Sequence, residues 1–158
     1  MSITDDVQHR SAHIHWPADA NPDRADLFAH NDIVINAPAK AIWDRLIRAA
    51  AWPDWYSNAA SVTVNDPGGV LGPGITFDWV TFGADIHSTV HEFEPASRIG
   101  WYGTTDHWLA YHTWLLSPAR TVAPTSSWKR PATAPTPASS PRPTQATCTA
   151  ATTCGISA

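Results

Sequence analysis

Cysteine is almost absent from the sequence. Of its 158 residues only Cys148 and Cys154 are cysteines, and both lie close to the C-terminus. A disulfide framework therefore cannot stabilise most of the chain. The sequence also lacks an uninterrupted apolar run of 18 residues, so we expect no membrane span. The first ten residues carry two acids and no apolar run, so we expect no secretory signal and a cytoplasmic protein.

Acidic residues are missing from the C-terminal quarter of the chain. All 14 Asp and Glu lie in residues 1–116 with six Lys and Arg, which gives that part a net charge of −8. Residues 117–158 contain four basic residues and no acid, which gives +4. Phosphate binding requires clustered Lys and Arg, and here they are scattered. We therefore expect no nucleic-acid partner.

Histidine is plentiful, with eight residues, but its spacing does not predict a metal site. His87 and His91 are four residues apart, which on a strand is about 13 Å. That separation is too long for two ligands that each lie about 2 Å from one ion. No Cys or carboxylate cluster completes a site. We expect no metal and no cofactor.

Residues 117–158 consist mainly of Ala, Thr, Pro and Ser, and they show neither helical nor strand periodicity. Such a segment buries too little apolar surface to offset its ordering entropy, so it is predicted to be a disordered tail. Eight residue types (Ala, Thr, Pro, Ser, Arg, Gly, Cys and Trp) make up 38 of its 42 residues, but only 57 of the first 116. A shifted reading frame in a GC-rich gene would produce this composition. A native Pro-rich tail is the alternative.

The remaining chain divides into an irregular lead-in at residues 1–25 and a domain at residues 26–116. The domain begins with a predicted strand, "LFAHNDIVIN", followed by a helix within "APAKAIWDRLIRAAA" and a short helix or turn at "WPDWYSN". Five strand candidates follow, separated by turn signals: "SVTVND", "GITFDWVTF", "DIHSTVHEFE", "RIGWYGTT" and "WLAYHTWLL". This order predicts an α+β fold with a curved antiparallel meander sheet.

Strand alternation assigns side chains to faces, because successive residues point to opposite sides of a sheet. Phe77 and Trp79 share a face of their strand, and His112 and Trp114 share a face of the last predicted strand. Ser88 lies on one face of the strand candidate "DIHSTVHEFE". Large aromatic residues therefore recur on one face of consecutive strands, with one His and one Ser among them.

An ordered series of motifs resembles the START-related, Bet v 1-like (SRPBCC) superfamily over residues 27–116. The motifs are a strand ending in "INAP", a helix with "IW", then "WPDWY", "G..F.W", "I.S.V.EFEP..RIGW.G" and a strand with "H.W.L". The bacterial polyketide cyclase/dehydrase and lipid-transport branch is the most similar. The resemblance implies a helix-grip fold, in which a bent sheet wraps around a long C-terminal helix. The pattern of the last strand and of that helix is missing from the sequence, and an unrelated tail stands in their place.

The resemblance implies that a hydrophobic small molecule, such as a lipid or a polyketide-like compound, binds between sheet and helix. The cavity-side candidates are Phe77, Trp79, Ser88, Trp101, His112 and Trp114. Trp52, Trp55 and Tyr56 are candidates for the cavity rim, and ordinary helix-to-sheet packing is the alternative for them. With the closing helix missing, Phe77, Trp79, Trp101 and Trp114 should face water or an ill-packed tail. This predicts an unstable chain with impaired binding.

Three functions remain open from the sequence. The first is ligand binding without catalysis. The second is a polyketide cyclase or dehydratase that uses His112 as acid or base, because the histidine pKa lies near neutrality. The alternative for His112 is a ring that fills space beside Trp114. The third is an interaction module like the chaperone-ATPase activators that share the fold. The sequence does not predict the ligand or the oligomeric state.

Overall fold

The computed structural model of the chain describes residue 8, residues 10–118 and residues 146–156, and in the last range it describes the side chain of Cys148 only. Seven strands form one antiparallel sheet, with the order β1-β7-β6-β5-β4-β3-β2. The strands are β1 Leu27–Ile35, β2 Ala59–Val64, β3 Thr76–Thr81, β4 Ala84–Glu94, β5 Arg98–Thr104, β6 Trp108–Pro118 and β7 Ala146–Ile156. This architecture confirms the predicted α+β class with a curved antiparallel sheet.

One α-helix, α1 (Ala39–Leu46), follows β1. The predicted helix is longer than the observed one, because the chain leaves α-helical geometry at Arg48 and re-forms a 3-10 helix at Ala49–Asp54. The amide of Leu71 donates to the Ile47 carbonyl at 2.7 Å, so a loop replaces the next helical turn as the partner of that carbonyl. The break places Trp52 against the sheet.

Ala146–Ile156 forms a strand, which corrects the predictions that the last strand is missing and that this part of residues 117–158 is disordered. Ser117 and Pro118 still belong to β6, and β7 pairs with β6 on one side and with β1 on the other. Backbone hydrogen bonds hold this strand in place, and they need no apolar side-chain pattern. Without β7, both β1 and β6 would have an unpaired edge. Residues 119–145 lie outside the described part, and within that part no helix follows β7.

The two faces of the sheet carry separate cores. The inner face, defined as the face against which α1 and the 3-10 helix pack, holds the main cluster, including Trp52, Phe77 and Trp101. The outer face holds a smaller cluster, in which Ile14 from the lead-in packs with Phe28 and Leu115. The lead-in was predicted to be irregular, but it forms two short 3-10 helices, Ala18–Ala20 and Pro22–Arg24, on its way to β1.

Contacts fix the lead-in to the sheet. The Tyr102 hydroxyl donates to Asp19 at 2.8 Å, and the Arg98 guanidinium donates to the carbonyl of His13 at 3.2 Å. The hydrogen bond to Asp19 and burial together raise the pKa of Tyr102 to about 12, with burial the larger cause. The domain therefore begins earlier in the chain than the predicted residue 26.

Candidate functional site

The register of the sheet brings the six predicted cavity residues together on the inner face. Phe77 pairs with Ser88 across β3 and β4, and Trp101 pairs with His112 across β5 and β6. Trp114 lies two residues farther along β6, on the same face as His112. Strand alternation therefore assigned the correct face to these side chains.

Trp52 is the centre of this aromatic group. Its ring centroid lies 5.7 Å from that of Phe77, 5.3 Å from that of Trp79 and 5.6 Å from that of Trp101. Its indole N–H donates to the Leu46 carbonyl at 2.8 Å, which fixes the ring beneath the end of α1. Only 3% of Trp52 is exposed, so this residue matches the alternative of helix-to-sheet packing and not a position at the rim.

The aromatic side chains of the inner face are mostly buried, and this corrects the prediction that all four would face water. Phe77, Trp79 and Trp101 are buried, and only Trp114 is half-buried. The 3-10 helix supplies the cover through Trp52. Three of the four aromatic side chains therefore do not expose apolar surface that would destabilise the chain.

A cavity of about 450 Å³ lies beside this aromatic group and is called here the indole chamber. Five tryptophans and Tyr56 contribute to its walls, together with Leu46, Cys148 and part of β1. The complete lining is Asn31, Asp32, Ile33, Leu46, Trp52, Trp55, Tyr56, Trp79, Trp101, Trp114 and Cys148. Trp55 is 39% exposed, which is consistent with a position at the cavity mouth.

A second cavity of about 330 Å³ lies along α1 and is called here the helix chamber. It shares Leu46, Trp55, Trp114 and Cys148 with the indole chamber, so the two spaces are adjacent. Its other lining residues are Ile35, Ala37, Ala41, Ile42 and Arg45. Among the described lining residues all except Arg45 are apolar, so the helix chamber is an apolar space bordered by one cation.

Phe77, Ser88 and His112 do not belong to the lining of either chamber. Phe77 and Ser88 are buried behind the chamber wall, and the Ser88 hydroxyl accepts the indole N–H of Trp79 at 3.1 Å. Ser88 therefore positions a wall residue. His112 stacks on Trp101, with ring centroids 4.7 Å apart, and its own ring is half-buried.

Sequence reasoning missed the contribution of β1 and Cys148 to the cavity. Asn31 and Ile33 line the indole chamber because β7 lies between β1 and β6 and joins both to the sheet through two ladders of hydrogen bonds. The alternation in "LFAHNDIVIN" indicated a strand, but the neighbour of that strand could not be identified without β7. Burial and the carboxylate of Asp32 raise the pKa of Cys148 to about 12, so its thiol stays protonated and is a poor nucleophile.

Burial lowers the pKa of His112 to about 4. At neutral pH the ring is therefore neutral, with one nitrogen as donor and the other as acceptor. A general acid needs the proton that this ring has lost, and a base with so low a pKa is weak. The environment of His112 favours a packing or hydrogen-bonding role over proton transfer.

Replacement of His112 by Phe should remove part of the pH dependence of stability. The folded pKa lies below the unfolded value, so the unfolded chain binds more protons between about pH 6.5 and pH 4. Wild-type stability should fall through that window, by up to about 3 kcal/mol from this residue. Urea unfolding at pH 7 and pH 4.5 measures the difference between wild type and H112F. Equal losses in the two proteins would contradict the lowered pKa of His112.

A polar groove of about 620 Å³ lies at another part of the sheet, lined by residues of β2, β3, β4 and the β5–β6 turn. Asp78 and His87 are hydrogen-bonded there at 2.7 Å. Within residues 10–118 and 146–156 no three His, Cys, Asp or Glu side chains come together in a way that could hold a metal ion. The helices of the described part are all too short or too polar to cross a bilayer.

Solved structures with similar architecture include the hypothetical protein jhp0584 from Helicobacter pylori. It is 18% identical with a TM-score of 0.73, and the match covers 92% of this chain and 80% of that one. A START superfamily protein from Mycobacterium smegmatis is 11% identical with a TM-score of 0.55, covering 83% and 78%. Ara h 8.0201 is 8% identical with a TM-score of 0.54, covering 84% and 80%.

No protein-family model and no curated protein matches the sequence. The structural matches show the fold: the chain has the architecture of START-like and Bet v 1-like proteins. This agrees with the resemblance found in the sequence motifs. Whether the tail arose from a shifted reading frame stays a prediction.

Proposed function

We propose that the protein binds a hydrophobic small molecule in the indole chamber. The observation that carries the proposal is an apolar cavity of about 450 Å³ whose walls include five indole rings. Protein interiors are normally close-packed, and a void of this size forfeits packing energy. Ligand pockets fall in the range of about 300–1,000 Å³, with mainly apolar and aromatic walls and a few polar groups. Asn31 and Tyr56 supply such polar groups here.

The fold supports this proposal in general terms, because the START-like and Bet v 1-like neighbours are consistent with a ligand-binding fold. The chamber is rich in flat rings, which favours a ligand with a planar or cyclic body, since aromatic surfaces pack well face to face or edge to face. A polyketide-like molecule satisfies this better than a saturated lipid chain does.

The enzyme hypothesis is the weaker one. A cyclase or dehydratase that used His112 would need a titratable ring in contact with its substrate. The low pKa of His112, and its position behind Trp101, argue against that role. No contact of the described residues favours the chaperone-ATPase-activator alternative.

Binding can be tested with N-phenyl-1-naphthylamine, a neutral two-ring probe that fluoresces in apolar surroundings. Wild type should bind it saturably at one site. Cys148→Leu places a larger side chain at a wall that both chambers share, and it should weaken binding about ten-fold because the probe loses volume. Ala60→Leu adds the same side chain at an exposed position of β2 and is the control.

The two variants distinguish a cavity site from surface adsorption. Loss of affinity in C148L with unchanged affinity in A60L supports the proposal. Absence of saturable binding to wild type, or the same affinity in all three proteins, contradicts it.

A further inference from the structure

We propose that the ligand of this protein carries an anionic group, and that the guanidinium of Arg45 receives that group at the helix chamber. This inference rests on the proposed function and adds the chemical class of the ligand. Among the described residues that line the helix chamber, Arg45 is the only charged one, and the others are apolar.

Within the described part of the chain, Arg45 has no ion-pair partner. Its neighbour Asp44, the acid closest in sequence, is bound to Lys40 at 2.6 Å. Among the residues that the structure describes, no carboxylate forms an ion pair with Arg45. Arg45 is exposed and borders an apolar space, and its guanidinium matches a carboxylate or sulfonate by charge and by hydrogen-bonding geometry.

Trp55 holds the guanidinium at the chamber. The Cζ atom of Arg45 lies 5.2 Å from the centroid of the Trp55 ring, a cation–π distance. Trp55 lines both chambers, so the stack places the cation beside their shared wall. The guanidinium is therefore positioned before any ligand arrives, which lowers the entropy cost of an ion pair with it.

The two chambers orient the ligand because their linings differ. The indole chamber is walled mainly by aromatic rings, whereas the helix chamber carries the cation of Arg45. An apolar ring system would occupy the indole chamber, and its anionic group would extend towards Arg45. A neutral molecule of the same shape would make the apolar contacts in the indole chamber but no ion pair with Arg45.

Two probes with the same rings test the charge. N-phenyl-1-naphthylamine is neutral, and 8-anilinonaphthalene-1-sulfonate adds one sulfonate to the same ring system. Arg45→Gln should weaken sulfonate binding about five-fold, near the upper end for an exposed ion pair, and leave the neutral probe unchanged. Arg48→Gln removes an equally exposed cation just beyond α1 that borders neither chamber, and it should change neither probe.

The outcomes separate the inference from the function on which it rests. The inference is supported if R45Q loses affinity for the sulfonate probe only. The affinity of wild type for that probe should also fall as salt is added. If wild type binds the neutral probe but R45Q and R48Q lower sulfonate affinity equally or not at all, the role of Arg45 is wrong and the cavity function stands. If wild type binds neither probe, both are wrong.

Discussion

Trp52→Ala should lower the free energy of unfolding by about 3–5 kcal/mol, the usual cost of truncating a fully buried tryptophan. The indole touches three aromatic side chains of the sheet and donates a hydrogen bond to the end of α1. Its loss would leave a void between the 3-10 helix and the sheet, and the Leu46 carbonyl would lose its donor. Equilibrium unfolding in urea, followed by far-UV circular dichroism, measures the change.

Two further variants make this result specific. Trp52→Phe keeps much of the apolar contact but removes the indole N–H, so its cost should be intermediate. Trp55→Ala truncates a tryptophan that is 39% exposed and only three residues away, so it should cost about 1 kcal/mol or less. Equal losses in W52A and W55A would show that Trp52 is not the central packing residue of the inner face.

Gly100→Ala should destabilise the protein by about 3 kcal/mol, at the upper end of overpacking costs. A Cβ atom at this position would lie 2.3 Å from the hydroxyl oxygen of Tyr111 and 2.8 Å from its Cζ atom. Tyr111 cannot move away easily, because it is 1% exposed and packs against Trp16, His91 and Tyr102. The same urea experiment measures the loss.

Tyr111→Phe identifies the clash. The Tyr111 hydroxyl is buried and has no hydrogen-bond partner among the described residues, so its removal alone should be neutral or slightly stabilising. In the background of G100A it should recover part of the lost stability, since one of the two close contacts disappears. Gly74→Ala is a control without a clash, because a Cβ there has open space and costs only the strain of a positive φ of 70°. Additive effects of G100A and Y111F would contradict the predicted contact.

The parts of the fold that depend on local sequence were predictable. Alternation identified the strands from β2 to β6, and it placed Phe77, Trp79 and Trp101 on one face, because the two-residue period of a strand is a local property. The motif series added the class of fold. Both kinds of information concern residues within one strand or between neighbouring strands of a meander.

Features that depend on contacts between distant segments were not predictable. The segment Ala146–Ile156 has no apolar alternation, and its place in the sheet follows from the backbone hydrogen bonds that β1 and β6 offer on either side. The position of Trp52 depends on where α1 ends. At that point the amide of Leu71, from a loop farther along the chain, donates to the Ile47 carbonyl. The lead-in shows no periodic pattern in the sequence, because Ile14 is buried by contact with the outer face of the sheet and not by packing within the lead-in.

For the candidate site, the sequence identified the wall residues on β3, β5 and β6 but not the space that they enclose. Ser88 and His112 were selected as polar groups inside the cavity, and the structure places them behind or beside its wall. Residue type indicates that a side chain can bind or react, but only the packing around it shows whether a ligand can reach it.

The central claim is that an apolar molecule binds in the indole chamber, and the indole N–H signals in a 1H–15N spectrum test it most directly. During titration with N-phenyl-1-naphthylamine, the signals of Trp55, Trp79, Trp101 and Trp114 should shift, since these residues line the chamber. The signal of Trp16, which packs on the outer face, should not move. A saturating titration that leaves the four chamber signals in place, or that shifts Trp16 alone, would contradict the claim.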